Sequence, residues 1–308
     1  MKTVLLVDAF AVIHRAFHAL PDFKAPDGTH VNVVYGFIST LLKAVRDVQP
    51  DYLVVAFDLP GPTLRHEVFK DYKAQRPETP PALSGQVPLV KEAVESMGLP
   101  VVAQEGYEAE DLIATFITKT ASEDFMYVIL TGDRDTLQLA RNNVSIYFLK
   151  KGLSDVILVD AAKVKELYGV TPAQFTDVKA LRGDPSDNIP GVVGIGEKTA
   201  LELVQQYGSA EHIFANIKRL PDRPQRLLAG QKELVAVNKR LVTITDDAPL
   251  LFKLPDFQRS EGALEKTIPI LERYGMKSLV ARIRNKKTEA PVPKRSRSAS
   301  ASVQESLL

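Results

Sequence analysis

The sequence predicts an α/β fold with a mostly parallel central sheet and helices on both faces, followed by an all-helical lobe. Short apolar runs at residues 4–7, 53–57 and 127–130 have the length and composition of buried strands. Longer stretches with apolar residues at helical spacing separate these runs, which is typical of parallel strands joined by crossover helices. From residue 161 onward only helical patterns follow.

The first 160 residues alternate strands with helices. The first strand, two helices and the second strand make a βαβ unit, whose crossover is right-handed in nearly all proteins. The last two strands flank the turn signal Lys150-Lys151-Gly152, so they are predicted to pair as a hairpin. Strands are predicted at residues 1–8, 52–57, 101–103, 127–130, 145–149 and 156–159, and helices at residues 11–20, 32–48, 83–97 and from about residue 108.

The second half is predicted to be a helical lobe followed by a tail. The final residues lack both periodicity and hydrophobicity, which favours a disordered tail or linker. We therefore expect an α/β core over residues 1–160, a helical lobe over residues 161–287, and the tail over residues 288–308. Helices of the lobe are predicted at residues 161–168, 172–181, 199–207, 210–217, 231–244 and 261–284.

The composition indicates a soluble cytoplasmic protein. The chain has 308 residues and no cysteine, which excludes disulfides and thiolate metal sites. Its formal net charge is +1, but residues 286–308 carry five basic and two acidic residues, which leaves about −2 for the rest. If the protein binds nucleic acid, its basic residues must therefore be concentrated in patches. No apolar run is long enough to span a bilayer.

Carboxylates stand at or just after the ends of the predicted strands, at one helix start and in one loop. In open α/β sheets the strand ends gather along one edge, so acids distant in sequence are expected to converge. Such a cluster repels itself unless cations neutralise it, and oxygen donors without Cys or His suit Mg²⁺ or Mn²⁺. Two such ions about 4 Å apart promote phosphodiester cleavage. The carboxylates are Asp8, Asp58, Glu108, Glu110, Asp111, Asp133, Asp135, Asp184 and Asp187.

The acids at residues 108–111 also have an ordinary explanation. They precede apolar residues at helical spacing, and acidic residues in a first helical turn are favoured by the helix dipole. On an ideal helix Glu108 and Glu110 flank the apolar face, whereas Asp111 points nearly opposite to it. The helix pattern alone therefore does not place Asp111 with the other acids.

Two further segments favour contact with nucleic acid. Residues 60–81 interleave cations with aromatic rings, a pattern suited to phosphates and bases, although a solvated helix with ordinary surface charge has the same composition. Residues 191–200 carry three glycines before a helix start, where backbone N–H groups attract phosphate, although ordinary helix connections also use glycine. The candidate DNA-binding residues are Arg65, Lys70, Tyr72, Lys73, Arg76, Gly191, Gly194, Gly196 and Lys198.

Together these motifs resemble the 5′-3′ exonuclease domain of bacterial DNA polymerase I and, more broadly, the flap endonuclease family. The resemblance covers residues 2–287 and rests on the motifs in chain order. It implies a PIN-like sheet, a helical arch over the active site at about residues 60–85, and a helix-three-turn-helix that grips duplex DNA and often holds K⁺. The motifs are Leu6-Val7-Asp8, Ala56-Phe57-Asp58, Arg65-His66-Glu67, Tyr72-Lys73, residues 106–111, residues 131–135, residues 183–188 and residues 191–200.

The resemblance also assigns roles to residues. It implies that Asp8, Asp58, Glu108, Glu110 and Asp111 surround one Mg²⁺ and that Asp133, Asp135, Asp184 and Asp187 surround the second, with Mn²⁺ as a substitute. Asp8 and Asp58 would act in catalysis, together with Lys73 and Arg76 as cations beneath the arch. Two positions depart from the family pattern: Glu110 stands where bacterial members commonly have Asp, and Ala9 stands where Gly usually follows the first aspartate.

The predicted function is that of a metal-dependent, structure-specific 5′-3′ exonuclease and flap endonuclease. Its expected substrates are branched, flapped or nicked DNA and RNA-primed DNA. We expect a monomer associated with the nucleoid, acting with a polymerase domain or with a polymerase in trans. Two alternatives remain at this point: a DNA-structure binder without catalysis, and a PIN-like ribonuclease, which would share the acidic sheet edge without requiring the glycine segment.

Overall fold

The centre of the fold is a six-stranded sheet with the order β3-β2-β1-β4-β5-β6. The computed structural model describes residues 1–285. All neighbouring strands are parallel except β5 and β6, which form the predicted antiparallel hairpin. The strands are β1 (Lys2–Asp8), β2 (Tyr52–Ala56), β3 (Val101–Val102), β4 (Phe125–Thr131), β5 (Val144–Leu149) and β6 (Val156–Val159).

Helices cover both faces of the sheet, as the sequence predicts. Alternate residues of β1 point to opposite sides: Leu5 and Val7 pack in one apolar cluster, and Val4 and Leu6 in another. The first cluster includes residues of the helices Ala9–Ala19, Asn32–Val48 and Val87–Glu95, and the second includes residues of the helix Ala109–Lys119. The helices of this half are α1 (Ala9–Ala19), α2 (Asn32–Val48), α3 (Leu64–Val68), α4 (Pro81–Ser84), α5 (Val87–Glu95) and α6 (Ala109–Lys119).

Most of the helical lobe packs on the second face of the sheet, whereas its last two helices, Ile268–Arg273 and Lys277–Arg284, belong to the apolar cluster on the first face. Phe116 of α6 stacks on Phe252 with ring centroids 4.5 Å apart, and one continuous apolar cluster extends from the sheet into the lobe. The helices of the lobe are α7 (Ala161–Tyr168), α8 (Pro172–Arg182), α9 (Glu197–Tyr207), α10 (Ala210–Ala215), α11 (Asp222–Leu228), α12 (Lys232–Val242), α13 (Ile268–Arg273) and α14 (Lys277–Arg284).

Two predicted helices are interrupted in the structure. The prediction of one helix over residues 261–284 is wrong because Gly275, with a φ of +71°, separates α13 from α14. The prediction over residues 83–97 is also wrong, because this stretch contains the end of α4 and the separate helix α5. The predicted tail at residues 288–308 lies outside the described residues. Within residues 1–285, no helix is long and apolar enough to cross a membrane.

Residues 60–85, where the sequence predicts an arch, contain α3, α4 and the turns between them. These turns lie against the loop that follows α8. Lys73 donates its backbone N–H to the carbonyl of Asp187 at 2.9 Å, and the side chain of Asn188 donates to the carbonyl of Asp71 at 2.7 Å. The segment is thereby held next to the carboxyl edge of the sheet.

Candidate active site

The acidic residues of the core converge at the carboxyl edge of the sheet. Asp8 is the last residue of β1, Asp58 follows β2 by two residues, and Asp133 follows β4 by two residues. Because these three strands are adjacent and parallel, their carboxyl ends lie side by side. Glu108 and Glu110 reach the same place from the start of α6, which also lies above this edge.

A cleft of about 890 Å³ opens at this edge. Seven of the nine predicted carboxylates line it, and the oxygen atoms of Asp135, Asp184 and Asp187 lie within 4.8 Å of one another. The cleft therefore joins acids from both halves of the chain. The seven are Asp8, Asp58, Glu108, Glu110, Asp133, Asp135 and Asp184.

Asp8 lines the cleft, and two hydrogen bonds orient its carboxylate. Its carboxylate caps α1 by accepting the N–H of Ala11 at 3.0 Å, and it accepts the hydroxyl of Thr131 at 2.8 Å. Burial, followed by the nearby charges of Asp58 and Asp133, raises the pKa of Asp8 to about 7. In the same way burial, with some contribution from Glu108, raises the pKa of Asp58.

The second group of acids is organised by a buried lysine that the sequence reasoning missed. Lys179 of α8 is 2% exposed, and its ammonium group contacts both Asp135 and Asp184, the latter at 2.5 Å. Burial and the charge of Asp133 nevertheless raise the pKa of Asp135 to about 7. For Asp184, burial opposes ionisation, but Lys179 and hydrogen bonds from Ser186 lower its pKa.

Two cations of the 60–85 segment face the acids from the other side. The ammonium group of Lys73 lies 2.7 Å from Glu108, and the guanidinium of Arg76 lies 2.5 Å from Asp187. Lys73 has a left-handed φ of +57° and sits over the ring of Tyr72 at 4.9 Å. Both predicted cations are therefore at the cleft and pair with the carboxylates.

The structure corrects the predicted environment of Asp111. This side chain is 1% exposed and does not line the cleft. Its two oxygens accept bonds from the guanidinium of Arg65 at 2.7 and 2.9 Å. They also accept the backbone N–H groups of Glu108 at 3.1 Å and Thr245 at 3.0 Å. With these bonds made, Asp111 serves to hold Arg65 and the start of α6, and the geometry does not favour the predicted metal ligation.

The structure also places two predicted DNA-contacting side chains in the interior. Arg65 is 7% exposed, donates to the carbonyl of Leu241 at 3.0 Å and pairs with Asp111. Tyr72 is 3% exposed, and its hydroxyl donates to Asp187 at 3.0 Å, so its ring is not open for a base to stack on. Lys70 is exposed, and its predicted DNA contact stays a prediction.

The glycine segment joins α8 to α9 beside the cleft. Gly191 is packed so tightly that a Cβ there would lie 1.9 Å from the carbonyl oxygen of Arg182, so this glycine serves the turn rather than an open surface. Gly194, Gly196 and Lys198 are exposed, with Gly196 at the N-cap of α9. These three residues are placed where a ligand can reach them.

Other cleft residues carried too weak a sequence signal to be assigned. His14 and His18 of α1 line the cleft with Phe10, at ring separations of 5.9 and 6.4 Å along the helix. Their spacing of four residues puts them on one helix face, but only the tertiary structure shows that this face borders the acids. The same is true of Lys179, which falls within an apolar helical pattern.

Comparison with known proteins decides the family. Residues 3–169 match the family model described as "5'-3' exonuclease, N-terminal resolvase-like domain", and residues 170–265 match "5'-3' exonuclease, C-terminal SAM fold". The chain belongs to the 5′-3′ exonuclease family. This confirms the predicted family and, with the sheet order above, the predicted α/β fold class. The limits proposed for the three segments stay predictions.

The relatives of this family member include bacterial DNA polymerases I. The chain is 38% identical over 293 residues to DNA polymerase I of Bacillus caldotenax, covering 95% of the chain and 33% of the relative. It is 37% identical over 290 residues to DNA polymerase I of Bacillus subtilis, covering 94% and 33%. The chain thus spans about a third of the length of the curated relatives it matches.

Solved structures share the fold at lower identity. The 5′-exonuclease of bacteriophage T5, in a structure with bound zinc, superposes with a TM-score of 0.64 and 21% identity, covering 92% of this chain and 98% of that one. Flap endonuclease-1 from Methanococcus jannaschii gives a TM-score of 0.51 and 16% identity, covering 91% and 93%.

The raised pKa values predict a pH-dependent response to metal. Asp8 and Asp135, with pKa values of about 7, are protonated below that pH when no cation is bound, and metal ligands must be deprotonated. The ordinary value of 3.8 applies to the unfolded chain, so these two groups reduce metal-free stability as the pH rises from about 4 through 7. The increase in Tm caused by a fixed Mg²⁺ concentration should therefore grow between about pH 5.5 and about pH 8.

The control for this measurement is Asp135→Asn, which should show a shallower rise. An increase in Tm with Mg²⁺ that is equal at both ends of the pH range would contradict the assignment of Asp8 and Asp135 as metal-binding carboxyl groups with raised pKa values.

Because Arg65 and Asp111 form a buried pair, we expect substitution of Arg65 to lower the stability of the fold rather than the affinity for DNA. Arg65→Met leaves a buried carboxylate without its partner, which should lower the free energy of unfolding by about 3–5 kcal/mol. Adding Asp111→Asn should recover part of the loss because it removes the unpaired charge. Denaturant unfolding measures both variants. The control is Arg273→Met, which breaks a solvent-exposed pair with Glu92 and should cost far less stability than Arg65→Met, because water screens the exposed charges.

A different pattern would restore the original hypothesis for Arg65. If Arg65→Met kept wild-type stability and lost affinity for DNA, Arg65 would be a phosphate contact.

Proposed function

We propose that this chain is a divalent-metal-dependent 5′ nuclease that cleaves phosphodiester bonds at 5′ ends, flaps and nicks of duplex DNA and removes RNA primers. The observation that carries the proposal is the convergence of seven carboxylates from separate segments in one cleft of a 5′-3′ exonuclease family member. Its endonuclease and exonuclease modes would share this cleft.

The donor set fits divalent cations such as Mg²⁺ or Mn²⁺. Every acidic ligand candidate in the cleft offers oxygen, and the chain has no cysteine to favour softer metals. We propose that Asp8, Asp58, Glu108 and Glu110 hold one ion and that Asp133, Asp135, Asp184 and Asp187 hold a second. Bound there, such ions would activate water and stabilise negative charge on the scissile phosphate.

The remaining residues of the cleft position the reacting groups. Thr131 and the N–H of Ala11 fix the orientation of the Asp8 carboxylate, and the N–H of Ala109 fixes that of Asp58 at 2.9 Å. Lys73 and Arg76 line the cleft with side chains partly exposed to solvent and paired with Glu108 and Asp187. These cations would reduce the repulsion between the carboxylates and a phosphodiester that enters the cleft.

We propose that the exposed part of the glycine segment binds the backbone of duplex DNA. Gly194, Gly196 and Lys198 present backbone and positive charge at the start of α9, where the helix dipole favours a phosphate. Lys70 is a further candidate for a phosphate contact. We also propose that K⁺ binds in this segment, as the family resemblance implies.

Known structures and relatives support these substrate and partner proposals. One bacteriophage T5 flap endonuclease structure is described as a pseudo-enzyme-product complex with DNA and metal ions, and the catalytic core of Rad2 has been solved with a DNA substrate. The curated relatives are about three times as long and are named DNA polymerase I. We propose that a polymerase works with this chain, fused to it or in trans, and that the protein acts as a monomer in the cytoplasm at the nucleoid.

The proposed activity is tested with three substrates: a 5′-labelled flap duplex, a single-stranded RNA and a blunt duplex, each with Mg²⁺ and with EDTA. The flap should be cleaved when Mg²⁺ is present and should remain intact with EDTA. Asp133→Ala should slow flap cleavage by at least about a hundredfold, because it removes charge stabilisation at the reacting centre, while DNA binding is largely kept. Asp155→Ala, an exposed aspartate in the β5–β6 turn, is the control and should retain full activity.

The outcomes separate the proposed function from its alternatives. Cleavage of single-stranded RNA without cleavage of the flap would favour a PIN-like ribonuclease. Binding to the flap with no cleavage under any metal would favour a DNA-structure binder, and full activity of Asp133→Ala would remove this residue from the chemistry.

The proposed role of Lys73 predicts a rate effect. Because its charge lies at the carboxylates, it should assist the reacting phosphate more than the binding of the duplex arms. Lys73→Ala should lower the single-turnover rate at saturating enzyme by at least about tenfold, or roughly 1.4 kcal/mol of barrier, with little change in Kd. The exposed neighbour Lys70 is the matched control, because Lys70→Ala should change affinity and its salt dependence and leave the rate intact. The reverse pattern would make Lys73 an ordinary phosphate anchor.

A further inference from the structure

Lys179 is a fixed cation within the second group of carboxylates. Its side chain is 3% exposed, and its ammonium group contacts Asp135 and lies 2.5 Å from Asp184. Asp187 offers a third oxygen within 4.8 Å of ligand atoms of those two acids. The positive charge of Lys179 therefore occupies part of the same small space that a cation would enter to reach these three oxygens.

The position of Lys179 is set by the packing of α8. Its neighbours Val178, Ala180 and Leu181 are at most 2% exposed, and the side chain of Asn238 donates to the carbonyl of Ala180 at 3.0 Å. Lys73 and Arg76, by contrast, lie on turns of the 60–85 segment with side chains 23% and 50% exposed. Those two cations have room to turn toward a substrate, whereas the ammonium group of Lys179 is confined to the carboxylates.

The two groups of acids consequently differ in charge. Asp8, Asp58, Glu108, Glu110 and the buried Asp111 are five carboxylates that share two cations, Lys73 and Arg65; Arg65 pairs with Asp111 and also lies 3.3 Å from Glu110. Asp133, Asp135, Asp184 and Asp187 face two cations, Lys179 and Arg76. A divalent ion that enters the second group meets less net negative charge and a like charge already in contact with two of its acids, so its binding is opposed by repulsion.

We propose that Lys179 is a positioning residue that holds the second group of carboxylates together without metal and makes this group the weaker of the two divalent-metal sites. The inference rests on the proposed two-ion function. It extends that function by assigning unequal affinities to the two sites and by naming the residue that causes the difference. The second ion is then bound fully only when further negative charge, such as a substrate phosphate, offsets the lysine.

The test is a Mn²⁺ titration of the full chain without nucleic acid, followed by electron paramagnetic resonance of the free ion. The wild type should show two classes of site whose dissociation constants differ by at least about tenfold. Lys179→Met keeps most of the side-chain volume and removes the charge, and it should tighten the weaker class by at least about tenfold while leaving the stronger class unchanged.

Two further variants serve as controls. Lys239→Met removes a lysine that also bridges two carboxylates, Asp177 at 2.7 Å and Glu211 at 2.8 Å, but lies outside the cleft, and it should leave both classes unchanged. Lys179→Arg retains the charge and should keep the weaker class weak. If Lys179→Met does not fold without metal, Lys179→Gln replaces it, because its amide can still donate to one of the two carboxylates.

If Lys179 only holds the carboxylates in place and does not oppose the second ion, the titration gives a different result. If the neutral variants at Lys179 leave the weaker class unchanged or weaken it, Lys179 does not oppose the second ion and the inference is wrong. If the variants give this result while the wild type still cleaves flaps with Mg²⁺, the inference about Lys179 fails and the proposed function stands. A wild type that binds no Mn²⁺ overturns both the inference and the two-ion function.

Discussion

The mutual repulsion of carboxylates gathered at one sheet edge is the constraint on which the rest of this structure depends. Three parallel strands bring Asp8, Asp58 and Asp133 side by side, and the start of α6 adds two glutamates. Burial at this edge is severe enough to raise the pKa of Asp8 to about 7. A fold that concentrates negative charge in this way must supply positive charge nearby, because an unpaired buried charge is strongly destabilising.

The neighbouring cations partly neutralise these carboxylates and also connect the two halves of the chain. Arg65 pairs with Asp111 of the core and donates to the carbonyl of Leu241 in the helical lobe. Lys179 extends from the lobe to Asp135 of the core. The charges that neutralise the cleft therefore link the lobes, so folding of the helical half completes the electrostatics of the sheet edge. The negative charge that these cations leave unneutralised is the charge that divalent ions can bind.

The strands and the acidic edge were predictable because they depend on local patterns. Apolar runs followed closely by Asp8 and Asp133 indicate both a buried strand and an acid near its carboxyl end. The helix pattern of α6 correctly set Asp111 apart from the other acids, and its assignment as a metal ligand came from the family resemblance. The pattern could not show what Asp111 contacts, because residues 245–248 of the lobe, distant in sequence, bond to Asp111 and Thr115. Lys179 and Arg65 were missed as buried cations for a similar reason: a charged side chain becomes buried only through partners distant in sequence.

The central claim, that the sheet edge is a two-ion site partly neutralised by fixed cations, is tested most directly by a crystal structure with Mn²⁺ and its anomalous scattering. The account predicts two peaks, one among Asp8, Asp58 and Glu110 and one among Asp135, Asp184 and Asp187, with lower occupancy at the second when no DNA is present. Absence of a peak at the carboxyl edge, or an ion bound by Asp111 after displacement of Arg65, would contradict it.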